Sequence, residues 1–323
     1  MPTSLAPRFS VILPTHDRRD MLREAIDSVA QQTFGDWELI VADDASQTPI
    51  GEGELRDLAG PGARLVRLDA SRGGGVAKSA GARAAQGQLL AFLDDDDLWA
   101  PDYLARADQA LRSAPDVKVL FMGVQWFGER APSGQEAQDR GMRIVLEQAH
   151  ARRDDHDLYR FGEELFSALL ERVPMPFQRP VTTREDYFAI GEYRADCLLW
   201  DCDWALRATL HGECALLDEG LYLQRAAGQG YSSQRRRALE QTRSNLEIKE
   251  SLLRHPAVAE THGHRLVKRA LHRDWKGYAW QLRQHGEFGE AGQALRSAAK
   301  YGISVELIKM LFNNQFRSIR SEG

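Results

Sequence analysis

Over its first 125 residues the chain repeats one pattern: a short, almost wholly apolar run, then a stretch with helical spacing. Runs of this length and composition suit strands buried on both faces. Strands that alternate with helices are joined as βα units into a mostly parallel sheet. Residues 9–13 (FSVIL) predict a first strand, stopped by Pro14. A helix is expected over 19–32, where Met21, Leu22, Ala25, Ile26 and Val29 fall on one face. Residues 37–42 (WELIVA), 64–68 and 89–93 (LLAFL) predict three further strands, with an alanine-rich helix over 75–86. A helix over 101–113 and a strand over 117–124 complete the pattern.

The pattern then weakens. Residues 128–160 are charged and poorly periodic, and GERAPSGQEAQDRG reads as a mobile loop. Order is expected to return with a helix over 161–171, the proline-rich VPMPFQRP, a helix over 200–210 and a strand over 215–224. After the break AAGQGYSS, residues 234–320 carry helical patterns only. Within them WQLRQHGEFGEAGQALRSAA resembles one tetratricopeptide helix-turn-helix, and one unit is no repeat array. The expected organisation is an α/β domain over 1–233, with halves 1–125 and 126–233, followed by a helical domain over 234–323.

The charge balance, 42 basic against 47 acidic side chains, argues against nucleic acid as a partner, since phosphate binding needs a basic surface. Cys197, Cys202 and Cys214 match no common zinc spacing and are expected to be reduced. The apolar run near the N-terminus is too short for a leader, and no stretch is long enough to span a bilayer. The expected location is cytoplasmic, with membrane-surface attachment left open.

Four segments carry candidate chemistry. Asp94-Asp95-Asp96-Asp97 directly follows LLAFL. Adjacent carboxylates repel, and at the C-terminal end of a parallel strand a divalent cation relieves that repulsion. Alternate residues of an extended segment point the same way, so Asp94 and Asp96 would present oxygens together while Asp95 faces elsewhere. The plain alternative is a solvated acidic turn capping the next helix. Asp43-Asp44 also ends a strand, where a carboxylate accepts hydrogen bonds from a ribose or base edge. The alternative there is an Asx turn. The stretch Ser71–Ser79 (SRGGGVAKS) fails both the phosphate-loop and the dinucleotide fingerprints, because Ala77 stands where the phosphate loop needs glycine. What remains is a helix N-terminus with Arg72 and Lys78, able to receive an anion. In WDCDW, Asp201 beside indoles suits a general base with a raised pKa. The competing reading is first-turn acids that complement the helix dipole, with Trp200 and Trp204 in the core.

Taken together and in order, these blocks resemble the inverting family-2 glycosyltransferases with the GT-A fold, over about residues 9–232. SVILPTHDR resembles the family's opening strand and nucleotide loop, which assigns Pro14, Thr15 and Asp17 to the donor nucleotide. QQTFGDWELIVADDAS resembles the block whose second acid, here Asp44, holds the uridine or ribose. RGGGVAKSAGARAAQGQLLAFLDDDDLWAPDYL resembles the run from the phosphate-side loop to the D-x-D motif. The resemblance gives Arg72, Lys78, Asp94 and Asp95 to the nucleotide and Asp94 and Asp96 to a Mn²⁺ or Mg²⁺ ion, Asp96 as direct ligand. WDCDWALR falls at the E-D block, which makes Asp201 the implied base and Trp99, Trp200 and Arg225 candidate contacts to sugar or acceptor.

The implied activity is hexosyl transfer from a nucleoside-diphosphate sugar, UDP favoured, to a hydroxyl acceptor by one inverting displacement. The implied setting is cell-surface polysaccharide or glycolipid synthesis, on a glycan or lipid-linked acceptor. Departures from the pattern are Ser71, Lys78-Ser79 for Arg-Asn, Trp200 for an acid, and Ala227 at the usual histidine position. Two rivals are a non-catalytic nucleotide- or carbohydrate-binding relative and a sugar nucleotidyltransferase. PTHDRRD lacks the glycines that the nucleotidyltransferase needs after its first strand. Near the C-terminus, Val305, Ile308, Leu311, Phe312, Phe316 and Ile319 form an apolar stripe flanked by Lys309, Arg317 and Arg320. It suits packing in its own domain, a homodimer or peripheral contact with anionic lipid.

Overall fold

The computed structural model describes residues 6–226, 237–259 and 261–321, with side chains as far as Asn314. Contacts divide the chain into two compact units, residues 1–196 with 200–230 and residues 197–199 with 231–323. The expected boundary at 233 and the position of Ala227 lie outside the described residues.

The first unit opens with β1 (Phe9–Thr15), α1 (Arg19–Ala30), β2 (Trp37–Asp43), α2 (Glu52–Ala59), β3 (Ala63–Arg67), α3 (Gly74–Ala84) and β4 (Leu89–Phe92). It continues through β5 (Leu98–Trp99), α4 (Tyr103–Ser113), β6 (Val119–Phe127), α5 (Ala131–Gln148), β7 (Arg152–Arg153), β8 (Tyr159–Arg160) and α6 (Glu164–Glu171). β9 (Pro180–Thr183), α7 (Arg184–Ile190), α8 (Trp200–Ala208) and β10 (Cys214–Arg225) close it. All ten strands join one sheet, ordered β3-β2-β1-β4-β9-β6-β10-β8-β7, with β5 paired to β10. It includes strands from both halves expected of this domain.

The apolar runs mark strands covered on both faces. Phe9, Val11, Leu13, Leu39 and Val41 pack with Leu22, Ile26 and Val29 of α1 in the main core. Ile12 meets the other layer, where Gly81 of α3 lies so close that a Cβ would come within 2.7 Å of the Ile12 side chain. The β1–β2, β2–β3 and β1–β4 pairs are parallel, as is β6–β10. The sheet is nonetheless mixed, because β9 runs antiparallel to both β4 and β6.

Three expectations are corrected. Pro14 does not stop β1 but continues it opposite Ala42; the β4 ladder ends at Ile12, so the missing N–H breaks no pairing there. Residues 128–141, read as a mobile loop, instead lead into helix α5, which runs on to Gln148. Its charges face solvent, while Gln138, Gly141, Met142 and Val145 turn inward at helical spacing. VPMPFQRP forms a 3₁₀ turn (Met175–Gln178) leading into β9, a strand the sequence did not suggest.

The second unit is helical over its described residues: α9 (Ala238–Leu252), α10 (Pro256–Ala259), α11 (His262–Gln284), α12 (Phe288–Tyr301) and α13 (Val305–Ser321). Its core is alanine-rich, with Ala279, Leu282, Ala291, Leu295 and Leu307 fully or almost fully buried. On α13 the apolar stripe divides: Leu311 packs toward that core, together with Leu307 and Met310 from outside the stripe, while Val305, Ile308 and Phe312 are exposed. Phe316 and Ile319 lie beyond the described side chains. Among the described residues no helix is long and apolar enough to cross a membrane.

Candidate functional site

Parallel strands deliver their C-terminal ends to one edge of a sheet, where α/β folds bind ligands. Here β1 and β2 end in Thr15 and Asp43, and β4 is followed, after Leu93, by the acidic run Asp94–Asp97. The run alternates in exposure. The Asp94 and Asp96 side chains are 26% and 24% exposed, against 8% and 0% for Asp95 and Asp97. Asp95 turns back to the sheet and accepts a 2.8 Å hydrogen bond from Thr15. Burial and the Asp96 charge push its carboxyl up to about 6.

Each remaining carboxylate has a cation. Arg18 donates to Asp96 at 2.8 Å and to Asp95 at 3.2 Å. Lys78, its side chain 2% exposed, pairs with Asp94 at 2.5 Å. Arg179 lies 3.4 Å from Asp94 and 3.6 Å from Asp97. Burial pushes Asp94 up, but Lys78 and Arg179 outweigh it and hold the carboxyl below the usual range. Asp97 lacks a lysine partner, and its burial carries it upward. Tyr222 of β10 closes the turn: its hydroxyl donates to Asp97 at 3.0 Å and accepts the Asp94 N–H at 3.1 Å. Arg225 donates its backbone N–H to the Asp97 carboxylate and its Nε to the Asp96 carbonyl, both at 2.8 Å.

The glycine stretch is shaped by two requirements. Gly73 caps α3 with φ of 89°, a conformation costly for other residues. Gly75 lies under the Trp200 indole, where a Cβ would come 2.8 Å from the ring. That indole in turn covers Lys78, whose Nζ is 4.5 Å from the ring centroid. Asp44 anchors the loop, accepting 2.7 and 2.8 Å bonds from the N–H groups of Arg72 and Gly73 and 2.8 Å from the Ser71 hydroxyl. Buried and so engaged, Asp44 shapes the loop on which Arg72 is exposed. Asp17 is exposed at φ of 51° and bound to Gln47 and Ser46, which fixes the loop after Thr15.

Asp201 follows Trp200 at the start of α8. Its Oδ1 accepts the Cys202 N–H at 2.8 Å. Burial raises its pKa, and Arg179, the Cys202 N–H and Lys78 offset that rise in part. Asp203, by contrast, is a buried structural acid paired with Arg207 at 2.8 Å. Trp204 is core, as the plain reading had it, and Trp200 is half-buried against Lys78. Trp99 is corrected: it is 3% exposed and stacked on Tyr103 with ring centroids 4.0 Å apart, so it offers no face to a sugar.

Arg18, Arg179 and Tyr222 were not foreseen. Arg18 ends the SVILPTHDR block but was given no role there, and Arg179 and Tyr222 reach the site only through the places of β9 and β10 in the sheet, on either side of β6.

Among the described residues no three His, Cys, Asp or Glu side chains gather as a complete metal cage. Asp94 and Asp96 supply hard oxygen donors, and Asp94 is already bound by two cations. One or two carboxylates completed by phosphate oxygens is a usual way to hold Mg²⁺, and this donor set fits that arrangement.

A mixed sheet carrying an acidic turn at its ligand-binding edge, flanked by helices and followed by a helical region, defines the GT-A class of fold. Residues 10–163 match the model of glycosyl transferase family 2. The O-antigen biosynthesis protein RfbC of Myxococcus xanthus is 34% identical over 121 residues, 36% of this chain and 10% of that protein. The chain spans 10–42% of the length of RfbC and three further relatives. S. aureus TarS 1-349 in complex with UDP-GlcNAc superposes with a TM-score of 0.66 at 16% identity, over 95% of this chain and 89% of that one. The mannosyltransferase PcManGT of Pyrobaculum calidifontis, with GDP-Man and Mn²⁺, gives 0.55 at 19% identity over 98% and 81%. At these identities the likeness is one of fold.

Proposed function

We propose that this chain transfers a hexosyl group from a nucleoside-diphosphate sugar, UDP favoured, to a hydroxyl acceptor with inversion. The observation that carries this reading is Lys78, which pairs with Asp94 and lies beneath Trp200. Through it, the glycine loop, the acidic turn and the segment bearing Asp201 meet at one edge of the sheet. The family-model match and the nucleotide-sugars named for the TarS and PcManGT structures support the donor class.

In this reading Pro14, Thr15, Asp17 and Asp44 form or hold the loops around the nucleoside, Arg72 faces the diphosphate, and Lys78, buried between Asp94 and Trp200, holds that carboxylate in place. Asp94 and Asp96 would hold a Mn²⁺ or Mg²⁺ ion, which supplies charge neutralisation to the departing nucleoside diphosphate. Asp201 takes the proton from the acceptor hydroxyl as that oxygen attacks the anomeric carbon from the face opposite the leaving group. Trp200 and Arg225 border the same space. The product class is a cell-surface polysaccharide or glycolipid, made at the cytoplasmic face with the exposed α13 residues resting on anionic lipid. An acceptor carried on lipid suits that placement.

The test is a melting-temperature screen of UDP, GDP and dTDP with and without Mn²⁺, followed by donor turnover. A ligand at a hundred times its Kd adds about 2.7 kcal/mol, a shift of several degrees. One nucleotide should stabilise strongly with Mn²⁺, and its sugar conjugates should be consumed. No shift with any nucleotide would reject the donor site. A shift without turnover would favour a binding protein.

A further inference from the structure

We infer that Arg179 is a positioning residue for the acidic turn: a buried guanidinium that binds Asp94 and Asp97 from within the protein and so sets Asp96 toward solvent. The inference rests on the proposed donor site and assigns Arg179 a part in it that no motif supplies.

The placement follows from strand register. β9 is antiparallel to β4 with Ala91 opposite Val181, so the chain two residues before Val181 lies just past the end of β4, where the acidic run begins. Arg179 is fixed there by its backbone, which accepts the Met122 N–H at 3.0 Å. Its side chain is 4% exposed, stacks on Tyr222 with 4.5 Å from guanidinium carbon to ring centroid, and donates to Gln224 at 2.8 Å. Its buried Nε has no hydrogen-bond partner. A guanidinium taken from water with one donor unsatisfied is costly and gains little for folding alone.

What it does hold is the first and last carboxylates of the run. Arg179 and Tyr222 both act on Asp94 and Asp97, one through charge and the other through its hydroxyl. Arg18 holds Asp95 and Asp96 from the outer side. Four neighbouring carboxylates are thereby sorted before any ligand arrives, at the positions where a metal and a diphosphate would need fixed oxygens. A planar fork spans two carboxylates where a lysine reaches one.

The experiment compares wild type with Arg179→Lys, which keeps the charge and loses the fork, and Tyr222→Phe, which loosens the same turn without changing charge. Calorimetry measures UDP and GDP binding without metal, and Mn²⁺ binding to the nucleotide-bound protein; donor turnover supplies kcat and KM. In both variants metal-free nucleotide affinity should stay within about twofold, because the Asp44 loop is intact. Mn²⁺ affinity and kcat should each fall at least tenfold. Unchanged Mn²⁺ affinity and kcat in both variants would overturn the inference. So would a parallel loss of metal-free nucleotide binding, which would make Arg179 a residue of the fold alone. If wild type binds neither nucleotide, the donor-site reading itself fails, and this inference fails with it.

Discussion

In the proposed role of base, Asp201 joins two demands that oppose each other. Burial favours its neutral form, whereas a general base must be ionised when the acceptor arrives. Because its folded pKa is raised, its ionisation works against the fold: its favourable contribution is complete below the unfolded carboxyl pKa and is lost as pH rises through the folded one. Asp201→Asn is therefore expected to leave stability at pH 7 unchanged or higher, while turnover falls roughly a hundred- to ten-thousandfold. Wild-type kcat against pH should lose activity on the acid side at a pH above the ordinary carboxyl value of about 4. Melting curves and initial rates check both halves, and a destabilised yet active Asp201→Asn protein would remove Asp201 from the base role. Asp44, Asp94 and Asp96 stand out in the sequence because they follow strongly patterned strands, whereas Asp201, in the first turn of α8, is singled out only by the family resemblance. Arg179 was not, since its only signal is the register of a four-residue strand that begins with proline. Trp99 was misread because an aromatic after an acidic turn looks the same in sequence whether it faces a ligand or stacks on Tyr103.

At the scale of elements, α3 and α8 are fitted to each other at one glycine. A methyl group at position 75 would press on the Trp200 ring, and that ring covers Lys78. Gly75→Ala is expected to cost about 1–3 kcal/mol by overpacking and to raise the donor KM as the indole shifts from the lysine. With Trp200→Ala already present, the same change should be neutral or slightly stabilising, since alanine is the better helix former. Denaturant titration of the four proteins of this cycle gives the coupling directly, and additive effects would show that the two helices are not matched there. Long apolar runs made β1, β2 and β4 readable, because strands covered on both faces need no alternation. α5 was hidden by Pro132, Gly134 and Gly141, which look like breakers. In the structure the proline opens the helix near its first turn, and Gly134 makes room for the Trp126 ring. Its inward face relies on Gln138, which donates to the Val124 carbonyl at 2.6 Å and accepts from the Trp126 indole at 2.8 Å. A polar anchor of this kind leaves no hydrophobic period to read.

The molecule has a sheet-centred unit that carries the candidate site and a helical unit that exposes several large apolar side chains. Val305, Ile308 and Phe312 are 70%, 44% and 61% exposed, while Leu307 on the same helix is 1% exposed. Helix α13 thus satisfies its own unit with one face and leaves a second apolar face in solvent, beside Lys309. Partial insertion of three such side chains, at 1.5–3 kcal/mol each for full burial, with about 1 kcal/mol for a lysine near anionic lipid, gives on the order of 5 kcal/mol. That is enough for reversible attachment and far short of permanent anchoring. Full-length protein should therefore co-sediment with vesicles rich in anionic lipid, and bind only about fivefold more weakly once salt screens the lysine. Ile308→Asp with Phe312→Asp should abolish co-sedimentation and leave nucleotide binding and melting temperature near wild type, because neither side chain belongs to the buried core. If the double variant instead keeps its vesicle binding, the surface is not the lipid contact. If wild type never sediments but runs as a dimer that the double variant converts to monomer, the same face serves a second copy of the chain.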